Sequence, residues 1–175
     1  MTNGLRVRGP FPLRTEGHTM RLTTFTDYSL RVLIYLAAQP DGRATIGEIA
    51  GVFAVSENHL TKVVHFLGKA GFLANVRGRG GGLHLAKPAR DINIGAVVRQ
   101  TEGAAIPAEC FDPASNHCAI TRMCRLRGVL KEAVDAFYGV LGRYTLDDLV
   151  HNRRALARVL FADAGPPARH RTTAH

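Results

Sequence analysis

The sequence lacks any long apolar run. No stretch approaches the roughly 18 residues that a membrane-spanning helix needs, so we expect no membrane segment. The first nineteen residues contain three arginines but no apolar core of the kind found in secretory signals. We expect the segment 1–19 to be either a disordered arm or a stretch upstream of a true start at Met20, and the protein to be cytoplasmic.

Cysteine is also scarce, with three residues in a chain of 175. An odd number argues against a complete set of structural disulfides. All three cysteines, Cys110, Cys118 and Cys124, fall within a window of fifteen residues. This clustering indicates one site and not scattered core thiols.

Acidic residues are outnumbered, since 23 lysines and arginines face 14 aspartates and glutamates and give a net charge of +9. Such a balance favours an acidic partner, with nucleic acid the first candidate, although basic charge alone is weak evidence. The length and a hydrophobic fraction of 46% suffice for one domain with a core, and a second small unit could be built from long helices.

Two short helices joined by a tight turn are predicted in the first half of the chain. Thr45 with Glu48 three residues later is a capping box for the first of them. The second begins after Ser56 and has an apolar face, which we expect to be buried, and a polar face on the opposite side. Two short helices of this kind joined by a tight turn are typical of a helix-turn-helix. An ordinary helical hairpin is the structural alternative. The candidate DNA-contacting residues on this element are Ser56, Asn58, His59 and Lys62.

A glycine-rich β-hairpin is predicted directly after that helix. Apolar alternation over 72–76 and 83–86 flanks an arginine–glycine tip. The glycine run lacks the Lys-Ser/Thr of a P-loop, and no helix starts after it, so nucleotide binding is not indicated. We interpret the hairpin as a wing whose Arg77 and Arg79 contact DNA phosphates or the minor groove, the alternative being an exposed tip without a partner.

A long amphipathic helix is predicted from Cys124 onward, because apolar residues form one stripe at helical spacing. Such a stripe outside a compact domain needs a partner surface. The symmetric solution is the same helix of a second chain, which gives a homodimer, and the alternative is packing on the chain's own domain. The stripe consists of Leu126, Val129, Leu130, Ala133, Val134, Phe137 and Leu141.

The predicted fold class is therefore mainly α-helical with a small β-hairpin wing. A further cap is predicted at Thr145 with Asp148. We expect an N-terminal extension over 1–19, a winged helix-turn-helix domain over 20–103, a cluster-binding loop over 104–124, a dimerisation helix with closing helices over 125–163, and a flexible tail over 164–175.

The three cysteines have the spacing C-x7-C-x5-C on the predicted loop. Thiolates are soft ligands that suit iron–sulfur clusters, zinc and copper(I). Zinc sites usually contain close C-x2–4-C pairs, which are lacking here, so the wide spacing favours a larger group such as an iron–sulfur cluster. Reduced thiols or a thiol redox switch remain alternatives. No His-Glu pair, nucleophile elbow or acid pair with an evident pocket supports an enzyme.

Three segments and the cysteine pattern carry a family resemblance. The segments are MRLTTFTDYSLRVLIYLA, VSENHLTKVV and VRGRGGGLHLAKP, and the third cysteine opens the long helix as CRL. Together they resemble the nitric-oxide-sensing NsrR repressors of the Rrf2 family of winged-helix regulators, which also contains the iron–sulfur regulator IscR. The resemblance extends from residue 20 to about residue 161.

That resemblance implies a homodimeric repressor with one cluster per subunit, and it favours 4Fe–4S over 2Fe–2S. Three cysteines would bind it, and the fourth ligand would be an aspartate of the partner subunit at the position of Asp27. In the IscR-like branch a histidine follows the third cysteine by three residues, where this chain has Arg127. Nitric oxide would attack the cluster and release double-stranded DNA carrying a palindromic operator.

The first cysteine gap is longer than in the NsrR repressors, which leaves two points open. The cluster could be 2Fe–2S, and His117 beside Cys118 is an alternative fourth ligand. The alternative functions are a redox or iron–sulfur-supply sensor on the same scaffold, and a nucleic-acid-binding module stabilised by zinc.

Overall fold

A computed structural model describes residues 21–76, 78, 81–103 and 108–161. The expected extension over 1–19, the tail over 164–175, Arg77 and Arg79 lie outside the described residues. The predicted mainly helical class with a small hairpin is confirmed. The elements are α1 (Thr24–Ala38), α2 (Ile46–Phe53), α3 (Glu57–Lys69), β1 (Leu73–Val76), β2 (Gly82–Leu85), α4 (Ile94–Glu102), α5 (Arg125–Leu141), α6 (Leu146–Leu149) and α7 (Arg153–Leu160), with 3-10 turns at Ala89–Asp91 and Glu109–Phe111.

Both predicted capping boxes are present. The Thr45 backbone N–H donates to Glu48 Oε2 at 2.6 Å, and Thr45 Oγ1 accepts from the Glu48 backbone N–H at 3.2 Å. Thr145 and Asp148 repeat this arrangement at the start of α6. There the backbone and hydroxyl donors of Thr145 lower the pKa of Asp148. Reciprocal capping satisfies two amide donors that have no partner within the helix, so it fixes where α2 and α6 begin.

Helix α3 begins without a side-chain cap. Ser56 occupies the N-cap position of α3, but its side chain makes no capping hydrogen bond. The His59 backbone N–H, which a serine cap would normally bind, donates instead to the Ser56 carbonyl at 3.1 Å. The Ser56 side chain is therefore not used to hold the helix end.

Helix α1 lies at the centre of the core and packs against α3, α4, α6, α7 and β2. Its residues Val32 and Leu33 are fully buried, and so are Leu146 in α6 and Val150 directly after it. The Leu146 backbone N–H also donates to the Ile92 carbonyl at 2.8 Å. Because α6 enters this core, the closing helices share it with the winged domain, and the chain passes through α5 before returning.

The hairpin is antiparallel, with Leu73 opposite Leu85 and Val76 opposite Gly82. Only glycine fits at position 81, since an added Cβ would lie 2.2 Å from the Val76 carbonyl oxygen. The glycines of the wing thus allow a tight turn, which agrees with the predicted hairpin. Within the described part of the chain, no helix is both long and apolar enough to span a bilayer.

Candidate functional site

Helix α3 presents one apolar and one polar face. Leu60 and Leu67 are almost fully buried against the core, and Phe66 meets Phe25 of α1 edge to face at a centroid distance of 5.3 Å. The structure exposes three predicted DNA-contacting residues on the opposite face: Asn58, His59 and Lys62. The inner contacts fix the position of α3, so the exposed face is presented on a rigid element.

A left-handed residue sets the turn between α2 and α3. Ala54 has φ of +51°, and its backbone N–H bonds to the carbonyls of Ala50 and Gly51. A non-glycine residue in this region is strained by about 1–2 kcal/mol, which the neighbouring packing must offset. The turn joins α2 directly to α3, which is the connection of a helix-turn-helix.

Asp27 lies in the first turn of α1, which begins after the N-cap Thr23. Its carboxylate pairs with Arg31 one turn later at 2.8 Å, and both side chains are close to half exposed. It also lines an open groove of about 510 Å³ with Tyr28, Phe53 and Val55. A carboxylate in this position is accessible to a second chain, and the helix dipole also favours its charge.

A hydrogen-bonded junction links the start of α1 to the end of α4. The backbone N–H and hydroxyl of Thr23 both donate to Glu102 Oε1, at 2.9 and 3.1 Å. The fully buried Thr26 donates to the Thr101 hydroxyl at 2.8 Å. Glu102 is the last residue of α4 and directly precedes the segment that carries the cysteines. The end of α4, which we call the root of the cysteine segment, is therefore hydrogen-bonded to the start of α1, the helix that carries Asp27.

The three cysteines are uncrosslinked and half-buried. Cys110 lies in the 3-10 turn Glu109–Phe111, and Cys124 is the N-cap of α5. The Cys118 backbone N–H donates to Asn116 Oδ1 at 3.1 Å, which closes a local turn. Two residues after Cys110, hydrogen bonds from the Ser115 hydroxyl and the Ala114 amide lower the pKa of Asp112. His117 is exposed.

These donors fit an iron–sulfur cluster better than a single zinc ion. Thiolates are the ligands that such clusters use. Zinc sites usually contain close C-x2–4-C pairs, which Cys110, Cys118 and Cys124 do not form. Among the described residues, no group of three or more histidine, cysteine or acidic side chains is placed to hold one metal ion. A preassembled tetrahedral site is thus not present in that part of the chain.

Helix α5 is largely uncovered. Leu126 and Val129 in its first half are 61% and 59% exposed. Phe137 and Leu141 near its end pack against the core, and the Arg99 guanidinium lies 4.1 Å from the Tyr138 ring centroid. The two halves of the predicted stripe therefore differ. Its last turns pack against the core of the same chain, whereas Leu126 and Val129 in its first turns are exposed to solvent.

Sequence reasoning missed the Thr23–Glu102 junction and the groove around Asp27. The junction joins residues 79 positions apart, and no local pattern marks it. The groove forms from residues of α1 together with the turn after α2. Only the tertiary arrangement brings these groups together.

Comparison with known proteins places these features in context. The model of the Rrf2 family, described as iron-dependent transcriptional regulators, matches residues 22–152. The chain is 49% identical over 142 residues to a protein of Halalkalibacterium halodurans named HTH-type transcriptional regulator NsrR, covering 81% of this chain and 97% of that protein. The protein of that name from Bacillus subtilis is also 49% identical, with the same coverage.

Solved structures of transcriptional regulators have a similar fold. CymR, the global cysteine regulator of B. subtilis, superposes with a TM-score of 0.62 at 27% identity, covering 77% of this chain and 98% of that one. IscR of T. potens gives a TM-score of 0.62 at 25% identity, covering 76% of this chain and 88% of that one.

Proposed function

The chain belongs to the Rrf2 family of transcriptional regulators, and we propose that it is a repressor whose iron–sulfur cluster senses nitric oxide and controls operator binding. Its winged helix-turn-helix fold and its relatives identify a DNA-binding regulator and not an enzyme. The observation that supports the cluster best is the set of three free, half-buried cysteines ahead of an uncovered helix. The proposal includes a cytoplasmic location, because a repressor must be in the compartment that contains the bacterial DNA.

The proposed ligands are Cys110, Cys118 and Cys124, with Asp27 of the partner subunit as the fourth and a 4Fe–4S cluster as the favoured type. A carboxylate is a harder and weaker ligand for iron than a thiolate, so the iron that it binds would be the most open to attack by nitric oxide. The exposed pair of Asp27 and Arg31 supports this assignment, because an accessible carboxylate can reach a second chain. His117 remains the alternative ligand.

The chain's own contacts suggest how the loop would act on DNA binding. Glu102 holds the root of the cysteine loop to Thr23, and Tyr28 in the next turn lies beside His59 of α3, with ring centroids 6.4 Å apart. A rearrangement of the loop would therefore reach α1 and then the exposed face of α3. In a homodimer formed through α5, the two copies of α3 would lie about one DNA turn, roughly 34 Å, apart and match a palindromic operator.

Anaerobic purification tests the cofactor directly. A brown protein with visible absorbance, iron and sulfide supports the proposal. A colourless protein with stoichiometric zinc would instead establish the zinc-stabilised nucleic-acid-binding module.

Asp27→Ala is expected to leave a bound but more labile cluster with an altered visible spectrum, because three thiolates remain. Arg31→Ala is the matched control, since it breaks the same ion pair but keeps the carboxylate. Spectra and stopped-flow nitric oxide kinetics provide the readout. If Asp27→Ala matches the wild type in both, the fourth ligand is His117 or a small molecule.

Asn58→Ala and Arg79→Ala separate base readout from phosphate contact. Asn58 lies near the start of α3, so its loss should cost about 1–3 kcal/mol on the operator and little on scrambled DNA. Arg79→Ala should weaken both duplexes evenly and reduce the salt slope by about one unit. Lys69→Ala, at the far end of α3, is the control. A salt titration on both duplexes measures these effects, and a reversed pattern would mean that the assigned roles are wrong.

A further inference from the structure

Arg127 joins the cysteine segment to α5. Its Nε donates to the Cys110 carbonyl oxygen at 3.1 Å, and its guanidinium carbon lies 5.4 Å from the ring centroid of Phe111. Two consecutive residues of the 3-10 turn are therefore bound by one side chain. The contact spans 17 positions in sequence, so it does not follow from the local structure of the loop.

The position of Arg127 determines what this contact brings together. Arg127 lies in the first turn of α5, and Cys124 is the N-cap of the same helix. By binding the Cys110 carbonyl, Arg127 places the first cysteine at the helix end that carries the third. Cys110 and Cys124 are separated in sequence by a segment that contains Cys118. The hydrogen bond from Arg127 to the Cys110 carbonyl therefore restricts the position of Cys110 relative to Cys124, which is the restriction that a shared ligand requires.

We propose that Arg127 is a positioning residue that docks the cysteine loop on α5 and thereby sets Cys110 relative to Cys124. The role in cluster binding rests on the proposed function, whereas the docking itself does not need a cluster. The chemistry of arginine suits the task, because its planar guanidinium can donate to a carbonyl while it stacks on an aromatic ring. Lysine would keep the charge but lose the planar, stacked geometry.

Hydrogen exchange in the cluster-free protein tests the docking. The Phe111 and Asp112 amides donate to the carbonyls of Ala108 and Glu109 within the docked turn. Arg127→Ala should speed their exchange about five- to tenfold, the effect of losing one charge-assisted hydrogen bond and one exposed cation–π contact. Arg127→Lys should fall between that variant and the wild type. Arg125→Ala, two residues earlier on the same exposed turn, should leave the exchange unchanged.

Cluster release tests the consequence for the ligand. After anaerobic reconstitution, Arg127→Ala should lose iron to a chelator about five- to tenfold faster than wild type and show a shifted visible spectrum, with Arg127→Lys partly rescued. Unchanged exchange at Phe111 and Asp112 would overturn the docking. Faster exchange with wild-type iron release would show that Arg127 docks the loop without positioning Cys110. A wild-type protein that takes up no iron would instead refute the proposed function, and the exchange result would still decide the docking.

Discussion

Cys124→Ala is expected to yield a folded dimer whose iron and sulfide fall to background. Cys124 occupies the N-cap of α5 without a capping hydrogen bond, so alanine there removes a proposed ligand but no side-chain cap of the helix. Of the proposed ligands, two thiolates and a carboxylate would remain, which are too few to retain a cluster against exchange. Operator affinity should fall about 5- to 150-fold, the usual range of coupling between an effector site and a binding site.

Cys110→Ala and Cys118→Ala should behave in the same way. Met123→Ala is the matched control, because Met123 is adjacent to Cys124 and 89% exposed. Iron and sulfide analysis with circular dichroism separates loss of the cluster from loss of the fold. Full iron and sulfide content in all three cysteine variants would refute the proposed ligand set.

Val129→Asp is expected to convert the proposed dimer to a monomer. Val129 is 59% exposed on the uncovered half of α5, and a dimer through this stripe would bury it. An unpaired carboxylate in an apolar interface costs several kcal/mol, so the dissociation constant should rise about a hundredfold or more. Phe137 is a poorer choice, because it packs against the chain's own core and meets the Tyr138 ring at 5.2 Å. Its replacement would also destabilise the fold.

Gly128→Asp provides the control for this experiment. It adds the same charge to the neighbouring position of α5, and nothing lies within 4 Å of an added Cβ there. Analytical ultracentrifugation should show a monomer for Val129→Asp and a dimer for Gly128→Asp. An undisturbed dimer in Val129→Asp would place the interface elsewhere.

Local patterns predicted the elements of the fold well. The capping signals at Thr45 and Thr145 identified the starts of α2 and α6, because a cap is encoded within four residues. The apolar spacing of α3 predicted one buried face, which contains Leu60 and Leu67 in the structure, and alternation around the glycine run predicted the wing. Each of these features depends on a period or a turn that the sequence shows directly.

Contacts between distant segments could not be predicted. Two such contacts are the hydrogen bonds of Thr23 with Glu102 and of Arg127 with Cys110. Both depend on how whole helices pack, and no local sequence pattern marks either pair. The α5 stripe was correctly identified as apolar, but its periodicity is the same where Phe137 packs on the core and where Val129 is exposed. Which surface covers each half is set by the tertiary fold.

A nitric oxide titration of the cluster-loaded protein tests the central claim most directly. Operator binding is followed by fluorescence anisotropy while visible absorbance reports the cluster in the same anaerobic sample, with a scrambled duplex as the reference. Control of DNA binding by the cluster predicts that operator affinity falls in step with the loss of cluster absorbance, while binding to the scrambled duplex changes little. Operator affinity that stays constant after the cluster absorbance has gone would contradict it.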